Sequence, residues 1–545
     1  MKSSDLLVKC LEAEGVEYIF GLPGEENEDL LFSIEDSSIK FITTRHEQGA
    51  AFMANVYGRL TGKAGVCLST LGPGAMNLIT GLADAHLDKS PVVAITGQGE
   101  LSRAHKEAHQ MIDVVEIFKP LVKWNCQIDT ALIIPEAVRK AFKLAQMEKP
   151  GVTHIELPED IAKIDVDKSS PIASTKLRRA APDAYAIDIA IEILSSATHP
   201  VILAGNGAIR KRSAKDLRSF AESFGIPAIS SFMGKGAMSD SHDLSLHSIG
   251  LQVKDYPVLA FEKADVIISI GFDIAELYPK TLELINPNKD KKIIHIDFEP
   301  SEIYEYYQPN IEIVADISES LRHLVKGLVL ADVQRFAPWT QEIKRLILKD
   351  HSSYKIINKF TVPGMLNVLR DRMHAEDILI SDVGAHKMWI GRNWPTYKPG
   401  TVIISNGMAS MGIALPGAIA AKLAKPNHRV VCINGDGGFM MNSQELETAK
   451  RLGLAFTVII VNDDNYGLIS MKQTLSKGKT FSTKISNPDF VKYAQSFGIN
   501  AFRPTTADEL DQVLDYCLNN NELNVVEVRV DGSENIELIN KLKQI

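Results

Sequence analysis

A chain of 545 residues is longer than one hydrophobic core supports, and at roughly 100 to 200 residues per domain it predicts about three domains. With 45% hydrophobic and 23% charged residues the composition is that of an ordinary globular protein. A net charge of -9 without a long basic block argues against a nucleic-acid surface, and no apolar run approaches membrane-spanning length.

The chain opens MKSSDLLVKCLEAEGVEYIF, a helical rhythm of acidic and apolar residues without the apolar core of a signal peptide. The cysteines at 10, 67, 126, 432 and 517 are odd in number, far apart and free of CxxC spacing. They fit buried thiols in a reducing compartment, so the expectation is a cytoplasmic protein without disulfides or zinc. At 41–62, FITTRHEQGAAFMANVYGRLTG, a β-type run delivers His46 and Glu47 to the front of an apolar, small-residue segment. A carboxylate there has to be there to hold something, or else it caps the helix start.

Farther along, short β-branched runs each lead through glycines into helical stretches: AGVCLSTLGPGAMNLITGLADAH, PVVAITG, PVILAGNGAIR, ADVIISIGFD, KIIHIDFEP, RVVCINGDGG, FTVIIVNDDN and LNVVEVRV. This alternation predicts an α/β protein of parallel sheets covered by helices, with ligands at the carboxyl ends of strands. Polar breaks at 163–184 and 330–360 predict domains over 1–165, 185–330 and 360–545. In the middle domain AGNGAIRKRS, 204–213, has Gly205 and Gly207 but lacks the third glycine of a dinucleotide fingerprint, and reads as a plain strand-to-helix turn.

The sharpest pattern is VVCINGDGGFMMNSQELETAKRLGLAFTVIIVNDDNYG, 430–467. Asp436 follows a strand among Gly435, Gly437 and Gly438, whose backbones can approach a phosphate, and a helix is expected to start near Asn442 or Ser443 with its positive end close by. A second strand then delivers Asp463 and Asn465, 27 and 29 residues after Asp436, to the same sheet edge. Two oxygen-rich clusters beside a glycine cradle suit Mg²⁺, held by Asp436 and Asp463 through carboxylates and by Asn465 through a backbone or side-chain oxygen. The plainer alternative is two acidic turns without metal.

These motifs, with FGLPG at 20–24, RHE at 45–47, GPG at 72–74, DVGAH at 382–386 and SNGMASMGIALPGAIA at 405–420, resemble the thiamine-diphosphate-dependent enzymes and, more narrowly, acetolactate synthase large chains. The resemblance covers essentially the whole chain and implies a thiamine-diphosphate-binding fold, two related cofactor domains flanking a Rossmann-like middle domain. It places Glu47 at the N1′ atom of the aminopyrimidine and Gln110 and Lys123 near the reacting centre. Gly72 and Pro73 would shape a loop beside the pyrimidine. His386, Ala409, Met411, Asp436, Gly437, Gly438, Asp463, Asn465, Tyr466 and Gly467 would bind cofactor, with Met411 as the apolar wedge beneath it. Ala385 replaces a glutamine that many members carry. His46 could serve capping, packing or chemistry, Met411 could be plain core, and Lys123 could instead lie over Trp124.

The implied reaction is decarboxylation of one pyruvate and addition of its two-carbon unit to another, giving 2-acetolactate and CO₂. A homodimer or homotetramer with active sites between chains is implied, acting on small 2-keto acids. At 268–280, ISIGFDIAELYPK lacks the arginine found before the phenylalanine in flavin-containing members, favouring the catabolic-like branch without FAD. The resemblance implies that Lys472, with Met471 beside it, falls at a substrate-selecting position, and Glu25 and Glu26 put negative charge on the loop after FGLPG. The alternative is another thiamine-diphosphate decarboxylase or carboligase with a different donor or acceptor. A noncatalytic scaffold is disfavoured by the intact Glu47 and metal motif, and a dehydrogenase by the missing third glycine.

Overall fold

The computed structural model describes residues 1–167, 169–175, 178–210, 213–328, 338–356 and 359–545. Parts of both expected linkers, of the 204–213 turn and of the boundary at 330 lie outside the described residues. The described chain divides into two compact units: 1–178 with 407–427 and 440–454, and 179–406 with 428–439 and 455–545. Two helical pieces of the expected third domain are therefore grouped with the first sheet.

The first unit carries β1 (Tyr18–Gly21), β2 (Lys40–Thr43), β3 (Gly65–Ser69), β4 (Val92–Gln98), β5 (Trp124–Gln127) and β6 (Val152–Pro158), ordered β2-β1-β3-β4-β6-β5. All its pairings are parallel. The central strands β3, β4 and β6 are buried along their whole length, which is why they read as unbroken apolar runs rather than alternating ones. Helix Glu47–Thr61 stops at Gly62, whose φ of 70° forms a left-handed cap with its amide on the Gly58 carbonyl.

The second unit holds two sheets. One is built from β7 (Pro200–Ala204), β8 (Ala228–Ser231), β9 (Ser245–Ile249), β10 (Val266–Ile270), β11 (Lys292–Asp297) and β12 (Ile311–Val314), ordered β12-β11-β10-β7-β8-β9. That is the dinucleotide-fold order. The other comprises β13 (Ile378–Ser381), β14 (Val402–Ile404), β15 (Val430–Gly435), β16 (Thr457–Asn462), β17 (Asn500–Phe502) and β18 (Asn524–Arg529), ordered β14-β13-β15-β16-β18-β17. Strand for strand this repeats the order of the first sheet, so the expected pair of related domains around a Rossmann-like middle is present.

Each sheet has a point where the chain turns from building one side to building the other: between β1 and β3, β7 and β10, and β13 and β15. A crevice opens at the carboxyl ends of the strands there, and ligands of open α/β sheets gather in it.

Candidate active site

At the edge of the first sheet, β2 leads into helix Glu47–Thr61 with Glu47 as its first residue. His46 is the cap, its Nδ1 accepting the Gln48 amide at 3.1 Å, so of its open roles the structure displays capping. Glu47 is 8% exposed, and its Oε2 accepts the Asn77 side-chain amide at 3.0 Å. A Cβ on Gly74 would fall 3.3 Å from Glu47 Oε1, so glycine there leaves the carboxylate its room. The approach to Glu47 is fixed from beneath. Fully buried Glu445 accepts the amides of Arg45 and His46 at 3.0 and 3.1 Å, and burial raises its pKa.

Gly72 and Pro73, expected in a loop, instead open helix Gly72–Leu87. Proline has no amide to leave unpaired and a preset φ, so it suits a first helical turn. Gly72 has a φ of +44°, and a Cβ there would sit 2.4 Å from the Gln110 carbonyl. Gln110, itself at a φ of 58° and exposed, is thereby brought against the GPG turn.

At the edge of the third sheet, β15 passes directly into a helix that begins at Asp436, not near Asn442 or Ser443 as expected. Gly437 and Gly438 make its first turn because larger residues would collide. A Cβ on Gly438 would lie 2.8 Å from Asp382 Oδ2, and one on Gly437 2.9 Å from the Tyr466 ring. Asp436 is 2% exposed, with Oδ1 accepting the Gly437 amide at 2.8 Å and Oδ2 the Asn487 side-chain amide at 2.8 Å. Asp463 leaves the end of β16 into a gap kept by Gly467 and Gly532, whose Cβ positions would lie 2.4 and 3.3 Å from its Oδ2. Burial first, and the Asp436 charge second, push the Asp463 carboxyl up to about 7. Burial likewise raises Asp436.

Two atoms of this edge are buried without a hydrogen-bond partner: Asn465 Oδ1 and His386 Nε2. Burial lowers the His386 pKa to about 4, which keeps its ring neutral. Two mutually repelling carboxylates and an unpaired amide oxygen form a donor set that fits a hard divalent cation. The described residues hold no cluster of three or more His, Cys, Asp or Glu suited to a metal. The set here is two carboxylates and an asparagine.

The middle sheet's crevice is filled by the chain itself. Glu276, 3% exposed, accepts the Asn206 amide with both carboxylate oxygens at 2.9 and 3.0 Å, the Asp273 amide at 3.0 Å, and the Ser231 hydroxyl. A Cβ on Gly205 would sit 2.3 Å from Phe272 Cα and 2.7 Å from Glu276 Oε1. The amide a dinucleotide phosphate would use is taken by an internal carboxylate, and the glycines pack backbone on backbone.

Other expected site residues are more dispersed. Ala409 holds a φ of 56° and Met411 is half-buried, on a stretch tied to helix Gly72–Leu87 through Gly407 N to Asp88 (2.7 Å) and Ser410 N to Asp84 (3.3 Å). Gly467 lies against Asp463, the Tyr466 ring lies against Gly437, and Met471 is buried. Exposed Lys472 places its ammonium 5.6 Å from the Tyr278 ring centre. The Lys123 ammonium donates to the Met147 and Lys149 carbonyls, at and just past the end of helix Ile134–Gln146, at 3.0 and 2.7 Å, and the Lys140 ammonium lies over the Trp124 ring.

Three family models for thiamine pyrophosphate enzymes match the chain: the N-terminal TPP binding domain over 1–117, the central domain over 187–324 and the C-terminal TPP binding domain over 382–528. A probable acetolactate synthase large subunit of Methanocaldococcus jannaschii is 35% identical, covering 99% of this chain and 93% of that one. The chain belongs to the thiamine pyrophosphate enzymes of the acetolactate synthase type. The acetolactate synthase of Bacillus subtilis is also 35% identical, over 98% and 94% of the two chains. A catabolic acetolactate synthase of Raoultella terrigena is 32% identical over 99% and 97%.

In this thiamine pyrophosphate enzyme, motif reading passed over three polar residues beside the candidate site residues, Asn77 on Glu47, Glu445 beneath it and Asn487 on Asp436, and a fourth, Glu276, in the middle crevice. Asn487 also donates to Asp464 at 2.9 Å.

Proposed function

We propose that the chain is an acetolactate synthase that decarboxylates pyruvate and adds the two-carbon unit to a second pyruvate, releasing CO₂. The observation that carries this reading is the Asp436, Asp463 and Asn465 set with its unpaired oxygen. It stands at the switch point of a sheet whose twin carries Glu47. When bound, thiamine diphosphate supplies the carbon nucleophile and electron sink of the reaction. Asp436, Asp463 and Asn465 would hold Mg²⁺ against the diphosphate, with Gly437, Gly438 and His386 lining it and Tyr466 and Gly467 closing beside it.

Glu47 would hold and return a proton at the pyrimidine N1′, and Asn77 fixes the rotamer that makes this possible. Glu445 keeps Arg45 and His46 in place, so Glu47 starts from a rigid base. Ala409 and Met411 would support the cofactor from below. Gln110 would meet the substrate from the GPG side, with Met471 and Lys472 bordering the acceptor. Lys123 is left out. Exclusion of water matters here, since stray protonation would release acetaldehyde in place of a new carbon-carbon bond.

The protein would comprise three domains over 1–165, 185–330 and 360–545, carry no flavin because Glu276 fills the middle crevice, and work in the cytoplasm as a homodimer or homotetramer with sites completed between chains. No described helix is long and apolar enough to cross a membrane. The test is product formation from pyruvate by protein reconstituted with thiamine diphosphate and Mg²⁺ without FAD. Acetolactate is expected, falling by about 100-fold or more in Glu47→Gln. Acetaldehyde alone from the parent would overturn the carboligase reading.

A further inference from the structure

One carboxylate at the first sheet's switch point has no part in the chemistry above. Glu26 lies in the turn after β1, half-buried, with Oε2 accepting the Thr70 hydroxyl at 2.6 Å. Thr70 follows β3, so the pair bridges the two strands between which the crevice opens. The turn is locked from inside, the Gly24 amide donating to Asn27 Oδ1 at 2.9 Å and Asn27 Nδ2 to the Leu22 carbonyl at 3.2 Å.

Three glycines press this turn against its surroundings. A Cβ on Gly24 would fall 2.5 Å from Thr70 Cβ, one on Gly97 3.3 Å from Glu26 Cβ, and one on Gly74 2.9 Å from the Thr70 methyl. The same point on Gly74 is 3.3 Å from Glu47 Oε1. Glu26, Thr70, Gly74 and Glu47 therefore form one continuous strip along the crevice. Among the described residues Glu26 hydrogen-bonds Thr70 and has no cationic partner.

We propose that Glu26, fixed by Thr70, is a specificity-determining residue that turns away acceptor keto acids bearing a second carboxylate and leaves apolar-tailed ones to react. The proposal rests on the acetolactate reading. A keto acid with an apolar tail brings one negative charge, which the site must accommodate in any case. A dicarboxylate brings a second one against an unpaired carboxylate held in a half-buried strip, where water screens it incompletely. Rejection by a built-in repulsive group is an ordinary route to specificity. Glu26 takes no part in bond making or breaking.

The test offers the reconstituted full-length enzyme pyruvate as donor, with 2-oxobutyrate and 2-oxoglutarate competing as acceptors in one vessel. The ratio of the two mixed products is read for the parent, Glu26→Gln and Glu26→Lys. Because both products form on the same folded molecules, the ratio does not depend on how much of a variant folds. Glu26→Gln is expected to shrink the preference for 2-oxobutyrate about tenfold, and Glu26→Lys to shrink it further. A ratio unmoved in both variants would overturn the proposal while leaving the synthase reading intact. A parent that forms no carboligation product from pyruvate would overturn both.

Discussion

The switch points of the second and third sheets lie in the same unit, and each is lined by glycines at a strand-to-helix turn. Their fates differ. At the middle sheet, Asn206 and Asp273 amides and the Ser231 hydroxyl converge on Glu276, and Gly205 packs on Phe272. At the third sheet, Asp436 and Asp463 crowd each other while Asn465 Oδ1 and His386 Nε2 lack partners. The middle turn closes its donors on the chain's own carboxyl group, whereas the third sheet's edge crowds two carboxyl groups and leaves an amide oxygen unpaired. A glycine turn thus marks a ligand site only when the groups around it are left wanting.

The largest effect that sharpens this contrast is expected from Asp463→Ala, which should weaken Mg²⁺-dependent thiamine diphosphate binding by more than about 100-fold in a calorimetric titration, beyond what loss of a supporting residue costs. At the middle turn, Glu276→Ala strands three donors, two of them buried, and should destabilise the unit by roughly 3 kcal/mol in urea unfolding. The variant should still purify colourless. Uptake of FAD by Glu276→Ala would mean that only one side chain separates the two turns.

Titration provides a comparable check. Burial pushes the Glu276 carboxyl up to about 7 from its ordinary value of 4.5. The folded state therefore favours its protonated form. That contribution to stability is fully present below about pH 4.5 and is lost as pH rises through about 7, amounting to roughly 3 kcal/mol. Against a Glu276→Gln background the parent should lose stability over that window, and parallel curves for the two proteins would contradict the burial argument. A smaller change is expected from Asn487→Ala, which frees Asp436 Oδ2 and should weaken cofactor binding about tenfold while leaving the fold intact by circular dichroism.

Much of the fold was legible because parallel strands buried on both faces write themselves as continuous apolar runs, and because GDG and NDDN each sit at such a strand's end. Glu47 stood out as a carboxylate at the start of an apolar, small-residue helix soon after a strand. What stayed hidden depends on distant partners. Glu276 is 70 residues from Asn206, Asn487 is 51 from Asp436, and Glu445 is 400 from Arg45. Local pattern also misplaced the helix after Gly435, since two glycines read as a loop when they are in fact the only residues small enough to turn beside Asp382 and Tyr466. The partners of the Lys123 ammonium, the Met147 and Lys149 carbonyls, likewise lie 24 and 26 residues away.

The most direct measurement is thiamine diphosphate binding to the purified chain with Mg²⁺ and with EDTA, for the parent and for Asp436→Ala. The account predicts saturable binding of one cofactor per chain that requires the metal and disappears in the variant. Equal affinity with and without the metal, unchanged by Asp436→Ala, would contradict it.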